Sequence, residues 1–273
     1  MNNYGRIPAA CSIAGSDSGG GAGIQADLRT FSSLGVWGCT VVTAVTAQNT
    51  QEVTGVWNLS REAVERQIQA VRDDFLIRAY KTGMLPESGI IKTVSENIPE
   101  DVPIIIDPVM ISTSGSRLID EDAVRALAGT LIPKSALVTP NIPEAAVLSG
   151  IGESEIAGRE DMIHAGELIL DMGAEAVLIK GGHLKGNFST DILVEKDRVT
   201  EFSSGRIKGD FHGTGCCLSS AVAAYMAKGM GLSDACKSAK DFVKCAISEP
   251  FRSESGRFAA NPILNCNMDN HTK

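Results

Sequence analysis

The stretch Ala14-Gly15-Ser16-Asp17-Ser18-Gly19-Gly20-Gly21-Ala22-Gly23-Ile24-Gln25-Ala26-Asp27 decides the fold. It is entered from a short apolar run at 7–14, which predicts a buried strand. It leaves into 23–34, where Ile24, Leu28, Phe31 and Leu34 recur on one helical face. Strand, glycine-dense turn and helix in that order form the opening unit of an α/β sheet. Dense glycine lets backbone approach a ligand closely. Asp27, one turn into the helix, either accepts hydrogen bonds from a polar ligand or favours the helix N-terminus. Gly21-Ala22-Gly23-Ile24-Gln25-Ala26 also fits the G-x-G-x-x-A spacing of a dinucleotide site. Such a site wants an acid ending the next strand, and 41–47 read Val-Val-Thr-Ala-Val-Thr-Ala.

The alternation continues outward. Strands are expected at 39–47, 53–59, 79–82, 102–106, 136–139 and 176–180. Helices are expected from the cap Ser60 to about 76, and at 87–97, 120–131, 143–148, 160–172, 214–228 and 233–248. Runs 191–194 and 199–202 flank Glu195-Lys196-Asp197-Arg198 and read as a hairpin. The tail is polar and is expected to fray from about 252. No linker, repeat or low-complexity run interrupts the chain, so 1–273 reads as one doubly wound α/β domain. Its central sheet is mainly parallel and flanked by helices, with an antiparallel hairpin in the C-terminal third. In such sheets ligands bind outside the carboxyl ends of the strands.

Composition excludes other classes. Of 273 residues, 43% are apolar and 21% charged, too apolar for a disordered chain. No apolar run reaches the roughly 18–20 residues that span a bilayer. A net charge of −8 argues against nucleic-acid and acidic-membrane partners. The seven cysteines contain no C-x-x-C, and the four histidines complete no zinc spacing. The cysteines therefore read mostly as small core residues. The start carries no signal-peptide pattern, and a reducing cytoplasm is the expected compartment.

A second glycine turn, Gly209-Asp210-Phe211-His212-Gly213-Thr214-Gly215-Cys216-Cys217, opens a helix rich in small residues. Gly213, Thr214 and Gly215 can turn their N–H groups to one point at the positive end of that helix, forming an anion hole. Cys216, in the first turn, stands where a thiol pKa falls, or is simply a small buried residue. No G-x-x-x-x-G-K-[ST] occurs, which rules out a P-loop. Further polar residues follow expected strands: Gln48-Asn49, Gly83-Met84, Asp107, Asn141-Ile142-Pro143-Glu144 and Lys180-Gly181-Gly182-His183. Carboxylates and a lysine on one sheet edge suit Mg²⁺ and polyphosphate. A glutamine amide can pair with a heterocycle.

These segments, with Val-Thr-Ala-Gln-Asn-Thr at 45–50 and Asp-Pro-Val-Met-Ile-Ser-Thr-Ser-Gly at 107–115, resemble the hydroxymethylpyrimidine/phosphomethylpyrimidine kinases of thiamine biosynthesis, members of the ribokinase-like superfamily. The resemblance runs from roughly residue 8 to 250. It implies ATP-dependent phosphorylation of 4-amino-5-hydroxymethyl-2-methylpyrimidine and then of its monophosphate. It implies that Gly15, Asp27, Gln48 and Met84 hold the pyrimidine and that Val109 lines its pocket. Asp107 and Glu144 would organise Mg²⁺ through water, with Asn141 and Gly182 on the ATP side and Lys180 at the phosphates. Gly213, Thr214 and Gly215 would form the anion hole. Cys216 occupies the slot where sugar kinases of the superfamily place an aspartate base. A homodimer is implied as well.

Two departures stand out. The family usually reads Thr-His-Gly-Thr-Gly-Cys-Thr, and here Phe211 precedes the histidine and Cys217 follows the first cysteine. The usual glycine/histidine-rich tail is replaced by Ser255-Gly256-Arg257-Phe258-Ala259-Ala260-Asn261-Pro262. Two other readings follow from the sequence. One is a pyridoxal kinase of the same superfamily, disfavoured because Ile111-Ser112-Thr113-Ser114 contains no cysteine to hold the aldehyde. The other is a pyrimidine-binding protein without catalysis. Residues 112–115 and the hairpin near Lys196 are candidate lids.

Overall fold

The computed structural model describes residues 7–110, 119–184 and 186–263. Strands β1 (Ala9–Asp17), β2 (Trp37–Gln48), β3 (Val53–Asn58), β4 (Ile77–Thr82), β5 (Ile104–Ile106), β6 (Leu137–Val138), β7 (Ala176–Ile179), β8 (Phe188–Glu195) and β9 (Arg198–Gly205) make one sheet. Among the described residues its order is β3-β2-β1-β4-β5-β6-β7-β8-β9. Pairing is parallel from β2 through β7 and antiparallel at both flanks, where β3 joins β2 and the hairpin β8–β9 joins β7. This is the expected α/β architecture.

Alternation along each strand builds two cores. Ile104 and Ile106 face one side of the sheet, and Ile105 faces the other. Helices α2 (Arg61–Asp74), α3 (Ser88–Asn97), α4 (Glu121–Ala126), α5 (Ile142–Ser149) and α6 (Arg159–Leu170) cover the first side. Helices α1 (Gly23–Ser33), α7 (Thr214–Ala227) and α8 (Leu232–Ser248) cover the second. Helix α7 is made largely of Ala, Ser and Cys because it lies between the sheet and its neighbouring helices, buried almost all round. Cys11, Cys39, Cys217 and Cys236 are free, buried thiols, as expected of small core residues.

Several boundaries move for physical reasons. Strand β1 continues past Ala14 to Asp17, with a register irregularity between Ala14 and Ser16 that lets it keep pairing with β2. Leu28 is exposed, and α1 instead turns Asp27, Thr30 and Phe31 inward. The expected helix 120–131 is capped by Asp120 but leaves α geometry at Leu127, passing into a π turn and a 3-10 turn that contains Pro133. Frayed ends are not seen at 252–263. Phe251–Arg252 (β11) and Phe258–Ala259 (β12) pair with each other, and β12 pairs with Phe211–His212 (β10) in a second, three-stranded sheet. The candidate lid 112–115 lies outside the described residues.

Ile105 is fully buried between β4 and β6. Ile105→Ala should cost about 2–5 kcal/mol of stability in urea denaturation. A loss below about 1 kcal/mol would mean this position collapses around the cavity.

Candidate active site

Every parallel strand ends on the same edge of the sheet, and each end carries a polar or small residue. Asp17 ends β1 and Gln48 ends β2. Gly83-Met84 follows β4, Asp107 follows β5, Asn141 follows β6 and Lys180 follows β7. They surround a cavity of about 560 Å³, roofed by the start of α7 and the segment 204–212.

Two glycine turns meet over this edge. Gly213 caps α7 with φ +79°, in the left-handed region. A Cβ there would lie 1.8 Å from the Gly21 carbonyl oxygen, so any side chain would part the two loops. The first turn is fixed by Asp17, whose carboxylate accepts from the N–H groups of Gly19 and Ala22, both at 2.8 Å. His212 Nε2 lies 3.1 Å from Asp17 Oδ2. Burial raises the Asp17 carboxyl, but the His212 contact and those two N–H groups outweigh it and hold the pKa below the usual aspartate value.

Beneath the start of α7, Lys81 and Asp27 form an ion pair with neither side chain exposed. Lys81 Nζ donates to both Asp27 oxygens at 2.9 Å. Ser12 Oγ donates to one oxygen at 2.5 Å, and Ser220 Oγ donates to the other at 2.6 Å. Burial works against the Lys81 charge. Asp27, Cys216 and Asp107 more than offset it and raise its pKa above the ordinary lysine value.

A second charged cluster lines the same cavity. Lys180 Nζ donates to Asp107 Oδ1 at 2.9 Å and lies 3.8 Å from Glu144 Oε2. Ser219 Oγ donates to Asp107 Oδ2 at 3.2 Å. Burial favours neutral Lys180, but Asp107 and Glu144 push its pKa up to about 12. Burial likewise raises Asp107, and Lys180 and Lys81 bring it below its ordinary value. Glu144 is pushed up to about 7, chiefly by burial, against the pull of Lys180. Its side chain also closes a capping box with Asn141: Asn141 N–H donates to Glu144 Oε2 at 2.8 Å, and Glu144 N–H donates to Asn141 Oδ1 at 2.9 Å. Among the described residues no three His, Cys, Asp or Glu side chains form a metal cage. Two carboxylates beside an open cavity fit a hydrated Mg²⁺ that is also held by a polyphosphate.

A family model for phosphomethylpyrimidine kinase matches residues 17–261. The chain belongs to the phosphomethylpyrimidine kinase family. It is 47% identical over 251 residues to the hydroxymethylpyrimidine/phosphomethylpyrimidine kinase of Rhizobium meliloti, covering 91% of this chain and 93% of that one. The crystal structure of phosphomethylpyrimidine kinase from Clostridium difficile is 42% identical, with a TM-score of 0.77 over 89% of this chain and all of the other. The pyridoxal kinase of Staphylococcus aureus, solved with AMP-PCP and pyridoxal, is 31% identical, with a TM-score of 0.87 over 97% of this chain and 96% of that one. The chain is thus a phosphotransferase of the ribokinase-like fold.

Within this phosphomethylpyrimidine kinase family member, most expected residues converge. Gly15, Gln48, Met84, Val109, Asp107, Asn141, Glu144, Lys180, Gly182, Gly213, Thr214, Gly215 and Cys216 all line the one cavity. The Met84 thioether packs over Gly15, where a Cβ would meet its sulfur at 3.5 Å. Two expectations need correction. Asp27 does not line the cavity; both its oxygens are taken by Lys81, Ser12 and Ser220 below the floor. The Cys216 thiol is not lowered by the helix end. Burial pushes it up to about 12, and although Lys81 and the Gly23 N–H oppose this, Asp107 and Asp27 add to it.

The sequence reading passes over Lys81, Asp17, His212 and Arg206. The Arg206 guanidinium donates to the carbonyls of Gly182, Leu184, Gly186 and Phe188 and so holds the turn after Lys180. Lys81 could have been found from its place next to Ala79 and Tyr80 near the end of a short internal strand, where a lysine demands a buried partner.

Lys81→Met should lose about 3–5 kcal/mol in urea denaturation, because it strands a buried carboxylate. Lys81→Met with Asp27→Asn should recover much of that loss; no recovery would show that the pair is not the cause. Because the Cys216 pKa is raised, its thiolate fraction is small at pH 8. Iodoacetamide should label it at least about tenfold more slowly than an ordinary cysteine of pKa about 8.5. Fast labelling at pH 7, read by mass spectrometry, would contradict the protonated thiol.

Proposed function

We propose that this chain transfers the γ-phosphoryl group of ATP to 4-amino-5-hydroxymethyl-2-methylpyrimidine and then to the resulting monophosphate. The observation that carries this is one cavity with two unlike ends meeting at a helix N-terminus. Gln48, Met84 and Gly15 offer an apolar, amide-bearing slot for a small heterocycle. Lys180, Asp107 and Glu144 offer charge for a metal-bound polyphosphate. Gly213, Thr214 and Gly215 line the same cavity.

In this reading the hydroxymethyl oxygen forms its bond to the γ-phosphorus as the bond to ADP breaks. Charge on the moving phosphoryl falls on the N–H groups at the start of α7, which, fixed at a helix N-terminus, need little reorganisation. Lys180 meets the phosphates. Bound Mg²⁺, near Asp107 and Glu144, would neutralise phosphate charge. Cys216 lies beside the hydroxyl. To accept its proton the thiol must first ionise, and Lys81 is the neighbouring charge that favours the thiolate. Asp27 acts through Lys81 and α7 rather than on the ring. Exposed Trp37, Trp57, Val45 and Val56 at the β2–β3 edge support a homodimer, and the family likeness supports a cytoplasmic protein.

The backbone likeness to pyridoxal kinases supports pyridoxal as a second substrate class. ATP assays with mass detection should compare the hydroxymethylpyrimidine, its monophosphate and pyridoxal. The expected products are the pyrimidine monophosphate and then the diphosphate. Product from pyridoxal alone would overturn the pyrimidine assignment. Cys216→Ala should lower kcat by about 10²–10⁴-fold if Cys216 is the base; a fall under about tenfold would leave it an orienting role only.

A further inference from the structure

Arg206 directly follows β9, and it is bonded throughout to the connection between β7 and β8. Its backbone N–H donates to the Asn187 carbonyl at 2.9 Å, one step beyond the register pair of Phe188 and Gly205. Its guanidinium reaches four more carbonyls of the same connection. Nη1 donates to Gly182 at 2.6 Å, and Nε donates to Gly186 at 2.9 Å. Nη2 donates to Leu184 at 2.6 Å and to Phe188 at 3.1 Å.

These acceptors are every second residue from 182 to 188. Carbonyl groups whose negative ends gather at one point repel one another. A planar cation with several fixed donors makes such a gathering favourable, whereas a lysine ammonium is a compact point charge. The turn is therefore folded about Arg206. It is also tied to β8. The Gly181 N–H donates to Asp191 Oδ1 at 3.0 Å, and a Cβ on Gly181 would lie 2.0 Å from the Thr190 carbonyl oxygen. Lys180 immediately precedes this turn, and Gly182 and Arg206 both line the cavity. A guanidinium has five N–H groups. Four are given to carbonyls here, so Arg206 as placed cannot also grip a phosphate through two parallel N–H bonds.

We propose that Arg206 is a positioning residue for the nucleotide: it fixes the turn beside Lys180 and neutralises four carbonyl oxygens that would otherwise stand free near a polyphosphate. This rests on the reading of the site as one for ATP. Arg206 acts through the backbone of the turn and leaves the phosphates to Lys180. Its own segment runs on through 207–212 to Gly213, so one side chain ties the turn after Lys180 to the strand that leads into α7. The pyrimidine slot at Gly15, Gln48 and Met84 makes no use of it.

The test separates shape from charge. Arg206→Lys keeps the charge but cannot reach four carbonyls spread along the turn, and Arg206→Met loses both. Both variants should raise KM for ATP by about tenfold or more, with KM for the pyrimidine hardly changed. Full recovery of the ATP KM in Arg206→Lys would show that only the charge counts and would overturn the proposal. So would an unchanged ATP KM in Arg206→Met, or equal rises for both substrates, which would mark general support of the fold. NMR order parameters of the nucleotide-free protein supply a readout without turnover, and one that needs no variant to fold. Gly182, Leu184 and Gly186 should be as rigid as β8, near about 0.85, and should fall in Arg206→Lys. Values below about 0.6 in the unaltered protein would overturn the proposal. Absence of phosphorylated pyrimidine with the unaltered protein would overturn the functional reading itself, a separate result that leaves the order parameters to decide on Arg206.

Discussion

The buried pair of Lys81 and Asp27 is the constraint on which the rest of the site depends. Two opposite charges with no exposure to water are costly unless every polar atom is satisfied. Here Lys81 bonds both carboxylate oxygens, while Ser12 and Ser220 supply one further donor to each oxygen. Those four residues come from α1, β1, β4 and α7. The pair can form only when all four elements are in register, so it fixes the first turns of α7 over the strand ends. The anion hole proposed at Gly213–Gly215 consists of backbone N–H groups with no side chains to adjust, so its position would come from such an anchor.

Charge compensation explains how a chain of net charge −8 offers a site for a polyphosphate. Lys81 and Lys180 are both held above the ordinary lysine pKa by carboxylates around them, so they remain cationic although burial opposes it. Their partners are divided between two places. Asp27 stays under the floor, while Asp107 and Glu144 face the cavity. The lysines therefore have fixed positions before any ligand arrives, and Glu144, pushed up to about 7, is the carboxylate whose charge is most readily altered by its surroundings.

Much of this was legible in the sequence because the signals were local. A glycine-dense turn between an apolar run and a helical period announces a strand–turn–helix unit, and polar residues just after apolar runs mark strand ends. Convergence of those ends follows from the parallel topology alone. What remained hidden was pairing across the fold. Asp27, on α1, looked like a ligand group because its partner Lys81 lies on β4, and no spacing rule relates the two. Cys216 looked activated because a helix N-terminus is visible in sequence. Its desolvation in the partly buried cavity wall, and the carboxylates of Asp107 and Asp27 nearby, are not. The tail looked frayed because two-residue strands carry no periodicity, and their stability comes from a partner more than forty residues earlier in the chain.

That partner also joins the chain's two departures from the usual family pattern. Phe211 stands where the resemblance implies threonine, and Phe258 lies in the stretch that departs from the tail the resemblance implies. They are register partners in the second sheet, with ring centroids 6.0 Å apart and planes tilted by 43°. Such an aromatic contact adds stability beyond its buried area. The next register pair is His212 with Ala259, and the His212 carbonyl accepts from the Ala260 N–H at 3.0 Å. The two departures are therefore one structural change. An aromatic contact beside the site ties residues 258–260 to the strand carrying His212. Gly213, the cap of α7, directly follows His212, so this contact lies next in the chain to the proposed anion hole. A buried charge pair and an aromatic contact thus both bear on the chain around the start of α7, where the hole is proposed.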